Sequence, residues 1–205
     1  MLLEKNKVLN LTAITDEYEV ILKHFIDSLT INKYIEDGKS LIDVGTGAGF
    51  PGIPIKIIRP EVNITLLDSL RKRLDFLNDV IEENGLKDVE TVHGRAEDFG
   101  RDANYREKYD IAISRAVAPL NILLEYMLPF VKVGGKCICM KGSNCDDEIE
   151  TAKNAIKKLG GEIEKIEKFT LPNSDNNRTI LIIKKVKKID RQYPRNAGIP
   201  TKKPF

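Results

Sequence analysis

The chain has 205 residues, 41% of them hydrophobic, enough to bury one core and to make a single domain with short accessory segments. No run approaches the ~20 apolar residues of a membrane helix, and Met1-Leu2-Leu3-Glu4-Lys5 lacks a basic-then-apolar leader, so a cytoplasmic protein without membrane attachment is expected. The net charge of +2 excludes a strongly basic or acidic chain as a whole, and three cysteines with no Cys-x-x-Cys pair and no nearby histidine argue against a disulfide framework or a metal site.

In chain order, Leu2, Leu3, Val8, Leu9 and Leu11 have helical spacing but no capping residue before them, which reads as the remainder of a longer amphipathic helix. A second helical stretch over 16–34 places Val20, Ile21, Phe25, Leu29 and Ile31 near one face. Together they make an N-terminal helical cap, residues 1–38. From residue 40 short apolar runs alternate with helices: strands over 41–44, 64–67, 89–93, 111–114 and 137–140, and helices over 71–83, 120–126 and 146–159. That rhythm predicts right-handed βαβ units and a parallel sheet covered on both faces. It then breaks, because 162–169 and 179–185 are separated by too few residues for a helical crossover and read as an antiparallel hairpin. The expected fold is α/β and Rossmann-like: a seven-stranded, mostly parallel sheet with an antiparallel C-terminal hairpin and N-terminal helices, the class I methyltransferase sheet rather than a dehydrogenase sheet. The core spans 39–186. Residues 187–205 form a basic tail, and from Lys184 onward the charge is +7 against −5 for the rest. Such a split either solubilises a tail or orients it toward a polyanion. Tyr193, Pro194-Arg195 and Lys203-Pro204 interrupt the charges and favour nucleic-acid contact.

The segment from Leu41 through Asp43-Val44-Gly45-Thr46-Gly47-Ala48-Gly49-Phe50-Pro51-Gly52 is an apolar strand that empties into glycines and then a helix near Pro51. Glycines there permit positive φ and let a ligand lie on the backbone at the carboxyl end of the sheet. Asp68 ends the second strand 23 residues beyond Gly45, the place of an acid that holds ribose hydroxyls. Counting the dinucleotide fingerprint from Gly45 puts Phe50 where its third glycine belongs, and Asp43 would repel a pyrophosphate but suit an amino group and a sulfonium. S-adenosylmethionine is therefore favoured over a nicotinamide dinucleotide. After the third strand, Ala96 offers a backbone donor, and Glu97 or Asp98 either accepts from an adenine amino group or caps the next helix.

Ser114-Arg115-Ala116 follows the fourth strand, without the Asp or Asn, two prolines and aromatic of amino-group methylases and without an acid to deprotonate a ribose hydroxyl. Cys137 and Cys139 alternate inside a strand and Cys145 lies beyond it, so buried thiols are expected rather than a thiolate nucleophile. A guanine N7 acceptor removes the difficulty, since its lone pair needs alignment and no base. No catalytic residue is then expected. Arg115 touches the cofactor, donates to the guanine O6/N7 edge, or forms a structural ion pair.

The chain resembles the RsmG (GidB) family. The resemblance is carried by Asn10-Leu11-Thr12-Ala13-Ile14, the segment His24-Phe25-Ile26-Asp27-Ser28-Leu29, Asp43 through Pro54, Gly94-Arg95-Ala96-Glu97, Ser114-Arg115-Ala116, Lys141-Gly142, and the tail from Tyr193-Pro194-Arg195 to Pro204. It implies formation of 7-methylguanosine in 16S rRNA, with S-adenosyl-L-methionine at Gly45, Phe50, Ala96, Glu97 and Arg115, to which Asp68 is added from the strand pattern. His24 and Lys141 are candidates for the pocket mouth, or else a satisfied helix histidine and a solvated strand end. Arg178, Arg191, Arg195, Lys202 and Lys203 are the candidate RNA surface. The expected partner is 16S rRNA or the small ribosomal subunit, met by a monomer without metal.

Overall fold

The computed structural model describes residues 1–143 and 145–205. Seven strands, β1 (Ser40–Val44), β2 (Asn63–Asp68), β3 (Val89–His93), β4 (Tyr109–Arg115), β5 (Val131–Lys141), β6 (Gly161–Thr170) and β7 (Asn177–Lys185), form one sheet in the order β3-β2-β1-β4-β5-β7-β6. The first five are parallel; β7 runs antiparallel to β5 and β6. This is the expected architecture. It puts the order reversal between β1 and β4, so the loops after those two strands diverge and leave a crevice at their carboxyl ends.

The central strands read as unbroken apolar runs because both faces are covered. Leu41, Ile111, Ile113, Ile138, Met140, Ile180 and Ile182 turn to one face, packing with Ile53, Leu74 and Leu77. Their neighbours Ile42, Ala112, Cys137, Cys139, Leu181 and Ile183 turn to the other, packing with Leu123, Met127, Ile149 and Ile156. The two-residue period thus builds two separate cores. Helices α3 (Gly52–Ile58) and α4 (Arg71–Glu83) supply the first; α6 (Leu120–Met127) and α7 (Asp146–Lys158) supply the second. A short α5 (Ala96–Phe99) follows β3, and α8 (Ile199–Lys202) lies in the tail.

The N-terminal reading needs two corrections. Helix α1 (Leu2–Leu9) leaves Val8 81% exposed and buries Asn6 instead, whose amide both donates to and accepts from the Thr12 main chain and so ties down the following loop. The second helix, α2, runs over 17–29 and not to 34, and it contains a wide turn at Ile21–Ile26. Five-residue hydrogen bonding there shifts the face by one residue. Leu22, Asp27 and Ser28 become buried while Ile21 and Phe25 face outward, which a period of 3.6 does not foresee.

The tail is a folded strap. Arg106 donates to the carbonyls of Gly100, Ile189, Asp190 and Tyr193, and Arg101 donates to the carbonyl of Pro194. Lys185, one of the tail's positive charges by sequence, is fully buried and bonded to the carbonyls of Leu128 and Val131 and to Glu107. Glu125 is fully buried on α6 and receives both the main-chain and guanidinium N–H groups of Arg195. Removing one member of such a pair strands a charge. Arg195→Ala is expected to cost on the order of 3 kcal/mol in urea unfolding, and adding Glu125→Leu to recover most of it. Equal stability of Arg195→Ala and the native chain would show that the pair does not anchor the strap.

Candidate functional site

Asp43, at the end of β1, organises the glycine loop. Its Oδ2 accepts from the Thr46 hydroxyl at 2.7 Å and from the Gly52 N–H at 2.9 Å, joining the first and last turns of the loop. Gly45, Gly47 and Gly49 all have positive φ, as required for the chain to turn this tightly. Asp43 is fully buried and does not line either neighbouring cavity, so it is a brace under the loop rather than the counter-charge to a cofactor. Burial pushes its carboxyl up to about 6, against the opposing hydrogen bonds from Thr46 and Gly52.

The reading of Phe50 as a missing third glycine is also corrected. A Cβ at Gly52 would stand 2.5 Å from Leu66 Cδ2 and 2.9 Å from Asp43 Oδ2, so Gly52 is the glycine that lets α3 close on the sheet. The fingerprint therefore lies in the frame Gly47, Gly49, Gly52, and Phe50 does not by itself exclude a dinucleotide.

Asp68 receives the Gly47 N–H at 2.9 Å, the Leu70 N–H at 2.9 Å and Arg73 at 3.2 Å. It stands with Gly45, Ser69 and Val117 between two cavities, of about 800 Å³ and about 170 Å³. A Cβ at Gly45 would lie 2.6 Å from Val117 Cγ2, so any larger residue must displace Val117 and adopt a strained positive φ. The smaller cavity is completed by Gly94, Arg95, Ala96, Glu97 and Tyr126. Glu97 is 5% exposed whereas Asp98 is exposed, which settles which of the two acids faces inward.

The larger cavity has a ring of interlocked side chains. His24 stacks on Phe50 at 4.7 Å, Phe25 meets Phe50 edge-on at 5.2 Å, and the Arg115 guanidinium lies 5.4 Å from the same ring. Arg115 also donates to the Lys23 carbonyl and to His24 Nδ1 at 3.1 Å, and pairs with Asp27 at 3.5 Å. Since arginine only donates, Nδ1 is the acceptor and the imidazole proton sits on Nε2, 2.7 Å from the Thr12 hydroxyl. Burial, helped by the Arg115 charge, lowers the His24 pKa to about 4, so the ring is neutral. Arg178 binds Asp27 at 2.9 Å, and Lys141 binds Glu148 at 2.7 Å and the Ala118 carbonyl at 3.0 Å.

Gly45, Phe50, Asp68, Arg115, His24, Lys141 and Arg178 therefore meet around one cavity, with Ala96 and Glu97 around its neighbour. Arg191, Lys202 and Lys203 are exposed on the strap and line neither cavity, and Arg195 is committed to Glu125. Sequence reasoning missed Asp27, Thr12, Val117, Tyr126 and Glu148 as individual contributors; Asp27 lay inside the quoted His24–Leu29 segment, but nothing in its spacing distinguished it.

The cavity walls suit a charged nucleoside. Arg73 Nε and Asp27 Oδ1 are buried without a protein partner among the described residues, and both side chains line the larger cavity. The cysteines are all buried, and burial pushes the Cys139 thiol up to about 12 and Cys137 well above its usual value, so neither supplies a thiolate.

A sequence model of the GidB family, described as rRNA small subunit methyltransferase G, matches residues 1–181. The chain belongs to the GidB family. A ribosomal RNA small subunit methyltransferase G from Acetivibrio thermocellus is 58% identical, aligned over all of this chain and 85% of its own. One from Alkaliphilus metalliredigens is 53% identical, over 100% and 87%. Solved structures share the fold at low identity. A putative methyltransferase of Haloferax volcanii, in complex with the Trm112 activator, superimposes with TM-score 0.65 at 11% identity, covering 83% of this chain and 93% of its own. The cyclase SpnF does so with TM-score 0.61 at 16% identity, covering 79% and 80%. A cyclase among the neighbours illustrates that the sheet alone does not specify the reaction.

The two perturbed groups near the loop predict opposite pH terms. His24 falls from 6.5 to about 4, so its stabilisation is complete above 6.5 and lost as pH falls toward 4. Asp43 rises from 3.8 to about 6, so its contribution is complete below 3.8 and lost as pH rises toward 6. Relative to the native chain, His24→Gln is expected to lose the acid-side penalty and Asp43→Asn to steepen it, read as urea midpoints between pH 4 and 7. Parallel pH profiles for all three proteins would refute both assignments.

Proposed function

We propose that this chain transfers a methyl group from S-adenosyl-L-methionine to N7 of a guanine in 16S rRNA, acting as a monomer. Beyond family membership, the observation that carries this reading is that each acid of the larger cavity is ion-paired, Asp27 with two arginines through Oδ2 even though its Oδ1 has no partner among the described residues. Asp27 holds Arg115 and Arg178, Glu148 holds Lys141, Asp68 holds Arg73 and the loop N–H of Gly47, and His24 is neutral with both ring nitrogens engaged. A ribose hydroxyl or an amino group needs a proton acceptor; N7 presents a lone pair and needs alignment.

In this reading Gly45, Asp68, Ala96 and Glu97 hold the cofactor, and Phe50 with Arg115 forms the wall toward the acceptor. Oδ1 of Asp68 accepts only the Leu70 N–H and so retains a lone pair, which is what a ribose hydroxyl requires. The bound cofactor supplies an electrophilic methyl on a sulfonium. The protein's work is to orient the acceptor and exclude water. Five cations, Lys23, Arg73, Arg115, Lys141 and Arg178, outnumber the three acids of the cavity and favour a phosphate-bearing substrate. His24, Lys141 and Arg178 shape its mouth. Arg191, Lys202 and Lys203 offer exposed charge for the RNA backbone, while Arg195 acts through the strap. The guanine enters unpaired or with its N7 edge opened by RNA structure, because the A-form major groove is too narrow to admit the site.

Small ribosomal subunits lacking the modification should accept tritiated methyl, recovered as 7-methylguanosine. Gly45→Asp, which drives a side chain into Val117 at a positive φ, should abolish cofactor binding and transfer together. Arg115→Ala should lower transfer by at least about tenfold, the effect of roughly one charge-assisted contact. Cofactor binding without transfer to any rRNA would move the assignment to a small-molecule acceptor.

A further inference from the structure

We propose that the C-terminal strap is a working part of the cofactor site: Gly198 and Thr201 position Glu97 and Tyr126, two walls of the smaller cavity, for a purine carrying an exocyclic amino group. This rests on the S-adenosylmethionine reading above and adds a dependence that the family resemblance does not contain.

Of three contacts made within seven residues of the strap, two reach residues that line this cavity and the third holds Glu125 beside one of them. Arg195 pairs with the buried Glu125, the Gly198 N–H lies 3.0 Å from Glu97 Oε1, and the Thr201 hydroxyl lies 3.0 Å from the Tyr126 hydroxyl. Glu125 and Tyr126 are consecutive on α6, whereas Glu97 is on α5, so the strap fastens two helices that border one space. Val44, Leu67 and Val117 add apolar walls that suit a flat ring, beside the polar Asp68, Ser69 and Arg95.

The chemistry follows from which oxygen is used. Gly198 occupies Oε1 of a carboxylate that is 5% exposed, and among the described residues nothing donates to Oε2. Fixing Oε1 sets the carboxylate rotation and leaves Oε2 as an acceptor at the cavity. An amino group is a donor matched to it; a carbonyl at the same ring position would meet like polarity. Without the strap Glu97 turns toward solvent water, and discrimination at that position is lost. Glu97 is then the residue that touches the ligand, and Gly198 and Thr201 are positioning residues.

The test uses full-length protein and calorimetric titration with two probes, S-adenosylhomocysteine and S-inosylhomocysteine, which differs by having a carbonyl in place of the amino group. Gly198→Pro removes the N–H donor and, because Gly198 has a φ of +79° that proline cannot adopt, also shifts the local backbone, so the side-chain variants at Thr201 serve as its control. Thr201→Val removes the second contact mildly, and Thr201→Ser restores its hydroxyl. S-adenosylhomocysteine should bind about tenfold more weakly to Gly198→Pro and measurably more weakly to Thr201→Val, with recovery in Thr201→Ser. S-inosylhomocysteine should bind all four proteins equally or bind the variants better. Unchanged affinity for S-adenosylhomocysteine in both variants overturns the proposal. So does proportional loss of both probes, which would make the strap a stability element only. Failure of the native chain to bind S-adenosylhomocysteine at all overturns the cofactor reading itself, and is distinguishable because it precedes any comparison between variants.

Discussion

One carboxylate oxygen, Oδ2 of Asp43, ties the two ends of the glycine loop together, and much of the crevice depends on it. The loop must leave β1, pass three residues of positive φ, and enter α3 close against β2. None of those conformations is favoured by the chain alone. A buried carboxylate that satisfies Thr46 and the Gly52 N–H converts this awkward path into a fixed one. Its own cost is desolvation, visible in its raised pKa, and the neighbouring Arg115 charge partly relieves it. The loop then presents the Gly47 N–H to Asp68 and the Gly45 N–H to the Leu67 carbonyl, closing the second strand onto the same turn.

The opposite wall is held by arginine. Asp27 gathers Arg115 from β4 and Arg178 from β7, so the N-terminal helix is fastened to the sheet across a cavity rather than through the core. This arrangement helps a helix with Ile21 and Phe25 outward to dock: His24 stacked on Phe50 and the Asp27 ion pairs add to the burial of Val20 and Leu22.

Much of the sheet was legible in the sequence because apolar runs of strand length alternate with amphipathic helices, and every parallel crossover is long enough to be recognised. Boundaries were less so. Strand β5 starts at Val131, six residues before its apolar run, because Gly134 and Gly135 interrupt the pattern without ending the pairing. The turn at Ile21–Ile26 was hidden because a five-residue hydrogen-bond period leaves no compositional mark. Residues at the site divide similarly. Gly45, Asp68 and Arg115 follow strands and are found by position, whereas Asp27, Thr12 and Tyr126 arrive from elements distant in sequence, and only folding brings them to the cavity. The tail was misleading as a bare charge count: Lys185 and Arg195 contribute to its positive sign, yet one is buried against carbonyls and the other is neutralised by Glu125.

The clamp on that tail has a consequence for how the segment can vary. Arg106 grips it through the carbonyls of Ile189, Asp190 and Tyr193, and Arg101 through that of Pro194 and the Asn196 side chain, so all but one of these contacts recognise main chain. Positions such as Arg191, Gln192 and Lys202 are therefore free to change identity while the path of the chain is kept. Substitution tolerance at such exposed positions should track the backbone they must trace, whereas the intolerant sites are those with a fixed partner: Arg101 and Arg106 outside the segment, and Arg195 within it.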